Sequence, residues 1–455
     1  MIVNVISIIY AALVLTCLMF YTPKIRQIFY SKHRLEHKIA AVKRRISIIV
    51  PARNESEIVG DLFASIASQD YDKSFFAVNV VVDSADDSTV RLAESYGFKV
   101  FIVQGQRCKG DALDGYFKSE SGQALSSFDA FVIVDADAVL TCDYLTELNN
   151  ALEHDGDIYL SRKRIKNFLG ERRNRTIYSN CSALTYAQLD DLGNVYRTDH
   201  DMPLNMCGQG MMVRRKVIEK LGGWPYRTLT EDYEVKMECY LSHLKSVYYP
   251  YAIIYTEEPL GHGENFSRRM RWVTGFAQSD ALYKKRIKDG IKSRGRASEG
   301  EREYLYGIIP PIIYLIATAL TVLAGAGLSI YGAITRPLGW LYPLLLLILL
   351  PCAVTYAFLL VYAILCMVCM KDAFVDIPLA ERIATMLFEP FYALEYVPIF
   401  IAGKIKARRG GDWKPMRRVR YGGSLRKRAT RGGVSQSVNA PVAVENADMA
   451  EEING

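Results

Sequence analysis

Residues 128–138 read FDAFVIVDADA. The apolar run Ala130–Val134 stops at two aspartates, Asp135 and Asp137, placed two positions apart. A short β-branched and aromatic run that ends in a polar turn predicts a buried strand. Both carboxylates therefore stand at the strand's carboxyl end. Upstream, ISIIVPARNE (46–55), FAVNVVVDSADD (76–87) and KVFIV (99–103) have the same form. Between them, Glu57–Gln69 repeats apolar residues at Ile58, Leu62 and Ile66, and Ser88–Tyr96 ends at Gly97. These predict helices. Alternating strands and helices predict an α/β domain with a mostly parallel sheet covered on both faces. Ligands bind such sheets at the carboxyl ends of the strands. Polar residues cluster at those ends: Arg53–Glu55, Asp83–Asp87 and Asp135–Asp137.

Outside this domain the composition changes. Half of the 455 residues are hydrophobic, but they are unevenly spread. A bilayer-spanning helix needs about 20 apolar residues. Ile2–Tyr21, Tyr306–Gly332 and Trp340–Met370 meet that length, and Pro351 predicts a kink in the third. The first stretch has no preceding cation and no small-residue cleavage site before Pro23, so it reads as an uncleaved anchor. Cations follow it, from Lys24 to Arg45. Their bias predicts a cytoplasmic main domain and an N-terminus outside. Residues 404–431 hold twelve Lys or Arg against one acid, Asp412. Basic residues beside apolar helices read as contacts to anionic membrane lipids rather than nucleic acid.

The expected organisation is an anchor at 1–22, a basic linker at 23–45, the α/β domain at 46–282 and a polar surface segment at 283–305. Two membrane helices follow in 306–370, then an interfacial or re-entrant pair in 371–407 and a basic, then disordered tail in 408–455. The nine cysteines are scattered, and the single CxxC, Cys366–Cys369, sits in an apolar run. Neither disulfides nor zinc is expected.

Three acidic motifs carry chemistry. Asp135 and Asp137 could divide between a hard divalent cation and a sugar or ribose hydroxyl, since such ions take oxygen ligands and keep substrate phosphates. Asp83 could accept from a base imide or ribose hydroxyl, while Asp87 or Ser88 caps the following helix. Glu231 and Asp232, in TEDYE (230–234), are adjacent and cannot share one helix face. One of them could take a proton from an attacking hydroxyl; the alternative is an ordinary N-terminal cap.

Read in order, PARNE, VVVDSADDST, KGDALD (109–114), DAD, GQGMMVRR (208–215), GGW…TEDYE and RRMRW (268–272) resemble the membrane-embedded family 2 glycosyltransferases. That group holds the cellulose, chitin, hyaluronan and poly-N-acetylglucosamine synthases. The resemblance covers residues 46–275 and extends to Trp413, in a pattern like W-x-x-x-R. It implies a GT-A-type, Rossmann-like domain with flanking transmembrane helices. It implies an inverting, metal-dependent transfer from a UDP-sugar to a glycan or lipid acceptor, with Mg²⁺ or Mn²⁺. Ala52, Arg53, Glu55 and Asp83 would lie along the uridine, and Lys109 and Asp135 near the donor. Asp137 would hold the metal, and Asp232, beside Glu231, would act as base. Gly208, Gln209 and Gly210 would face the acceptor. Arg271 would hold the diphosphate and Trp272 would stack on the acceptor sugar.

Arg268 departs from the family pattern, which has glutamine there. A fixed positive charge near the acceptor could suit an anionic acceptor such as a lipid phosphate, or equally be a tolerated variation; the departure puts processivity in doubt, since the family motif goes with polymerising members. Arg269 is expected to face lipid headgroups. Partner subunits are compatible with this layout. Two further functions stand beside a polysaccharide synthase: a non-processive glycolipid-forming transferase, and a catalytically silent membrane scaffold.

Overall fold

A computed structural model describes residues 1–20, 22–30, 35–119, 126–170 and 172–408. Trp413 and the tail beyond residue 408 lie outside the described residues. Eight strands form one sheet: β1 (Ile46–Pro51), β2 (Phe76–Val82), β3 (Lys99–Ile102), β4 (Ala130–Ile133), β5 (Val139–Leu140), β6 (Ile158–Ile165), β7 (Met211–Arg214) and β8 (Ser246–Thr256). Their order is β3-β2-β1-β4-β7-β6-β8-β5. The four strands read from the sequence pair in parallel, with Ile46 opposite both Phe76 and Ala130. Beyond β4 the sheet is mixed: β7 runs antiparallel to β4 and β6, and β6 is parallel to β8. The sheet is thus mostly parallel, as expected, with its antiparallel pairs confined to the second half.

Alternate residues of β1 face opposite layers, as the twofold pleat requires. Ile46, Ile48 and Val50 pack with Leu62 and Phe63 on one face, while Ile49 packs with Leu113 and Tyr116 on the other. Ser47, on that second face, is buried but not unsatisfied. Asn79 Nδ2 donates to Ser47 Oγ at 2.8 Å and to the Tyr116 hydroxyl at 3.0 Å. A closed polar triad of this kind fixes the docking of helix Lys109–Ser119 on β1 and β2.

The strand order reverses at β1, with β2 on one side and β4 on the other. A crevice opens there, beyond Pro51 and Asp135. Helix Glu231–Ser242 brings the TED segment to it, and helix His262–Arg294 brings RRMRW. The latter helix is continuous over 33 residues, so the expected domain boundary at 282–283 falls inside it. Its polar second half nevertheless keeps a buried stripe, Tyr283 and Ile287, against the domain.

Among the described residues two helices are long and apolar enough to cross a bilayer, Glu299–Thr335 and Leu341–Cys369. Only 6% and 17% of their most apolar windows are buried in the protein. Apolar sides left so uncovered call for a non-aqueous surrounding. A third apolar helix, Ile2–Phe20, is shorter than these and packs on Ile309–Thr335, with the Tyr10 hydroxyl 3.1 Å from Thr318 Oγ1. Pro351 lacks the N–H that would bond the preceding turn. A π-helical stretch, Leu344–Leu349, lies just before it and absorbs the mismatch.

Residues 379–407 form two helices, Leu379–Leu394 and Tyr396–Ala407, broken at Glu395. Both dock on the α/β domain. Cys181 Sγ lies 3.9 Å from the Thr385 carbonyl, and Gly403 approaches Val273 so closely that a Cβ would meet its Cγ1 at 2.7 Å.

Candidate active site

The crevice is a cavity of ≈350 Å³. Ala52, Arg53 and Glu55 line its β1 edge. Asp83 does not line it. Instead its Oδ2 accepts from Arg53 Nε at 2.7 Å, fixing the guanidinium from behind. Asp87 caps helix Ser88–Ser95 through the Thr89 amide, and also accepts from the Asn54 amide at 2.7 Å. Asn54 has φ 55°, so this bond holds the turn after β1 in a strained shape.

Lys109 occupies the centre. Its ammonium donates to Asp135 and to the Gly208 carbonyl at 2.6 Å, and lies 3.6 Å from Glu231 Oε1. Burial works against its charge, but Asp135, Glu231 and Asp232 outweigh that and raise its pKa. Glu231 and Asp232 feel the converse. Burial pushes the Glu231 carboxyl up to about 7, although Lys109 pulls it down. Burial also raises Asp232, opposed by Lys109 and by backbone donors. Asp232 Oδ2 accepts from the Gly208 amide at 2.7 Å, and Oδ1 from the Tyr233 amide at 2.8 Å. The carboxylate is thereby held at two points. Gly208 leaves room for this cluster: a Cβ there would sit 3.0 Å from Glu231 Oε1 and 3.1 Å from Lys109 Nζ.

Thr230 makes no side-chain cap bond to helix Glu231–Ser242. Its side chain fills the notch of Gly275, where a Cβ would overlap Thr230 Oγ1 at 2.4 Å. The TED turn is thus locked to the RRMRW helix rather than serving as a simple cap.

Gln209 lines the cavity and donates to Asp137 Oδ1 at 3.0 Å; Asp137 itself is buried behind it. Gly210 does not line the cavity. It has φ 69° and a Cβ there would press on Ser161 and Ile254, so its role is packing under the loop. Arg271 and Trp272 line the opposite wall. Burial, and then the neighbouring Arg268 charge, lower the Arg271 pKa.

Two arginines differ from expectation. Arg269 is fully buried, not at lipid headgroups. It donates to the Tyr392 carbonyl at 3.0 Å, pairs with Glu395 and lies 4.0 Å over the Tyr392 ring. The helices at 379–407 cover it, and those helices supply its counter-charge. Arg268 is also buried and forms a two-point ion pair with Glu258. It is therefore not a free cation awaiting an anionic acceptor.

Sequence reasoning missed Glu258, Tyr186 and Phe276, all lining the cavity. Phe276 lies one helical turn beyond Trp272, a spacing that could have drawn attention to it. Nothing local marks Tyr186, which reaches the cavity from the last turn of helix Ile177–Ala187.

The architecture matches that of a mannosyltransferase, PcManGT of Pyrobaculum calidifontis, solved with GDP-Man and Mn²⁺. The TM-score is 0.54 at 18% identity, over 89% of this chain and 99% of that one. The fold is accordingly GT-A-like. The model for glycosyl transferase family group 2 matches residues 130–374, more than half of the chain, and the chain belongs to that family of sugar transferases. It is 24% identical over 259 residues to a probable glycosyltransferase, YdaM, of Bacillus subtilis (53% of this chain, 60% of that protein). It is also 24% identical over 256 residues to the poly-beta-1,6-N-acetyl-D-glucosamine synthase of Staphylococcus aureus (55% and 59%). The matched segment spans about 60% of the length of these relatives.

Proposed function

We propose that this chain transfers a sugar from a UDP-sugar, with inversion, to a glycan or lipid-linked acceptor at the cytoplasmic face of a membrane. The observation that carries the reading is one cavity lined by Asp135, Lys109, Asp232, Arg271 and Trp272 at the reversal point of the sheet. Arg53, held by Asp83, flanks the nucleotide end. Arg271 offers a two-pronged donor to diphosphate oxygens, and its charge stabilises the leaving UDP. Trp272 offers a flat apolar face to the acceptor ring. Asp232, fixed by two amides, takes the proton of the attacking hydroxyl, and the oxygen then displaces UDP at the anomeric carbon. Glu231 and Lys109 set the charge around that base.

Among the described residues no three His, Cys, Asp or Glu side chains converge as a metal cage. The donor set fits instead an ion that arrives with the substrate, since Mg²⁺ uses one or two carboxylates plus phosphates. Asp135, on the cavity wall beside Lys109, and Asp137, one layer back behind Gln209, are the residues that would hold it. Bound there, it would add positive charge to the diphosphate leaving group.

The two uncovered apolar helices, with the N-terminal helix packed beside them, support an integral membrane protein. The cation bias after residue 22 supports a cytoplasmic catalytic domain and an external N-terminus. UDP release by the detergent-purified protein over a panel of UDP-sugars, with Mn²⁺ or EDTA, tests the reading. Release with one donor, abolished by EDTA, is expected. Donor-independent release, or none with membrane lipid and oligosaccharide acceptors supplied, would overturn it.

A further inference from the structure

Three elements converge behind Trp272. Ser182 comes from helix Ile177–Ala187, Glu258 from the loop after β8, and Arg268 from helix His262–Arg294. Arg268 Nη1 donates to Glu258 Oε1 at 3.0 Å, and Nη2 donates to both Glu258 Oε2 and Ser182 Oγ, the latter at 2.9 Å. Ser182 in turn donates to Glu258, so the hydroxyl closes the ring of bonds. Glu258 is 1% exposed and Arg268 6%. Glu258 also accepts Arg268 while its own backbone is tied at both ends by Asn167, through the amide at 2.8 Å and the carbonyl at 3.0 Å. The carboxylate is thus a fixed point.

The guanidinium it fixes lies over the Trp272 ring, 4.9 Å from the centroid. Tyr186 stands edge-on to the same indole, with centroids 6.0 Å apart and planes at 84°. A desolvated guanidinium over an indole face is an attractive contact with a defined geometry. We propose that Glu258 is a positioning residue: by neutralising and clamping Arg268 it holds Trp272 in the plane that receives the acceptor sugar. The proposal rests on the acceptor role given to Trp272 above. It assigns a task to the buried carboxylate that pairs with Arg268, and it accounts for a charged residue in a buried wall. Removing one partner of a buried pair leaves an uncompensated charge, whereas removing both does not. That asymmetry supplies the test.

The variants are Glu258→Gln, Arg268→Gln, the double variant and Ser182→Ala, each purified as the full chain. Glu258→Gln is expected to raise the acceptor KM about tenfold while the donor KM stays within about threefold, because the lost contact is on the acceptor wall. The double variant should recover most of that loss, and Ser182→Ala should shift the acceptor KM in the same direction by less. A readout free of activity is the indole emission that disappears in Trp272→Phe. It should move in Glu258→Gln and return towards wild type in the double variant. Failure of transfer in the wild type, with the indole emission moving and returning as predicted, would sink the transferase reading and leave the clamp standing. Strictly additive losses in the double variant, or an unmoved Trp272 emission in both Glu258→Gln and Ser182→Ala, would overturn the proposal.

Discussion

Glu231 and Asp232 are neighbours in sequence but differ in support. Asp232 has two amide donors, while Glu231 rests against the Lys109 ammonium. Burial raises the Glu231 pKa from its ordinary 4.5 to about 7. A carboxyl raised in the folded state favours folding when protonated. Its contribution is complete below pH 4.5 and is lost as the pH rises through about 7. The unfolding midpoint of the wild type should therefore fall across that window, and Glu231→Gln should flatten the fall. Parallel curves for the two proteins would contradict the assignment. Asp135 was legible in the sequence because it stands at the end of an apolar run, and Asp232 because TEDYE takes its place in an ordered set of motifs. Glu258 was not legible. It sits in EEP after a strand, and only the folded chain reveals the arginine ten residues on that turns back to meet it.

At the scale of elements, β1 to β4 were readable because each is an apolar run with a polar end. β6 was not. IYLSRKRI places three cations in succession, which looks like a surface segment. Their counter-ions lie in the π-helical turn: Asp191 pairs with Arg162 and Arg164, each at 2.9 Å, and Asp190 lies 3.5 Å from Lys163. The sequence distance between these partners hides the pairing. The same holds for Arg269, whose partners Tyr392 and Glu395 are more than 120 residues away. It joins the RRMRW helix to the helices at 379–407. Arg269→Met leaves the Tyr392 carbonyl without this donor and leaves Glu395 with its His262 contact, at 3.1 Å, but no guanidinium. It should destabilise the detergent-solubilised protein by about 3 kcal/mol. Thermal unfolding of the variant measures this; an unchanged midpoint would return Arg269 to the membrane surface.

Across the whole molecule, one arrangement links these scales. The sheet supplies a crevice, the TED helix supplies carboxylates, and a single long helix carries Arg271 and Trp272 to the opposite wall. Of the helices at 379–407, Tyr396–Ala407 packs on that long helix and Leu379–Leu394 packs on the apolar helix Leu350–Cys369. The catalytic wall and the membrane-proximal elements are thus one packed body. The motif order made the crevice legible, since PARNE, DAD and TED fall at strand or helix ends, while RRMRW lies inside a long helix that crosses the crevice. The packing of the helices at 379–407 was less legible, because apolar residues at 383–403 serve equally for bilayer and for protein packing. The central claim is that Asp232 removes the acceptor proton in this crevice. The most direct measurement compares wild type and Asp232→Asn for transfer and for UDP binding in the same preparation. The amide should keep UDP affinity within about threefold while transfer falls by about a thousandfold, the scale of a lost general base. Transfer at the wild-type rate by Asp232→Asn, with UDP binding intact, would contradict the account.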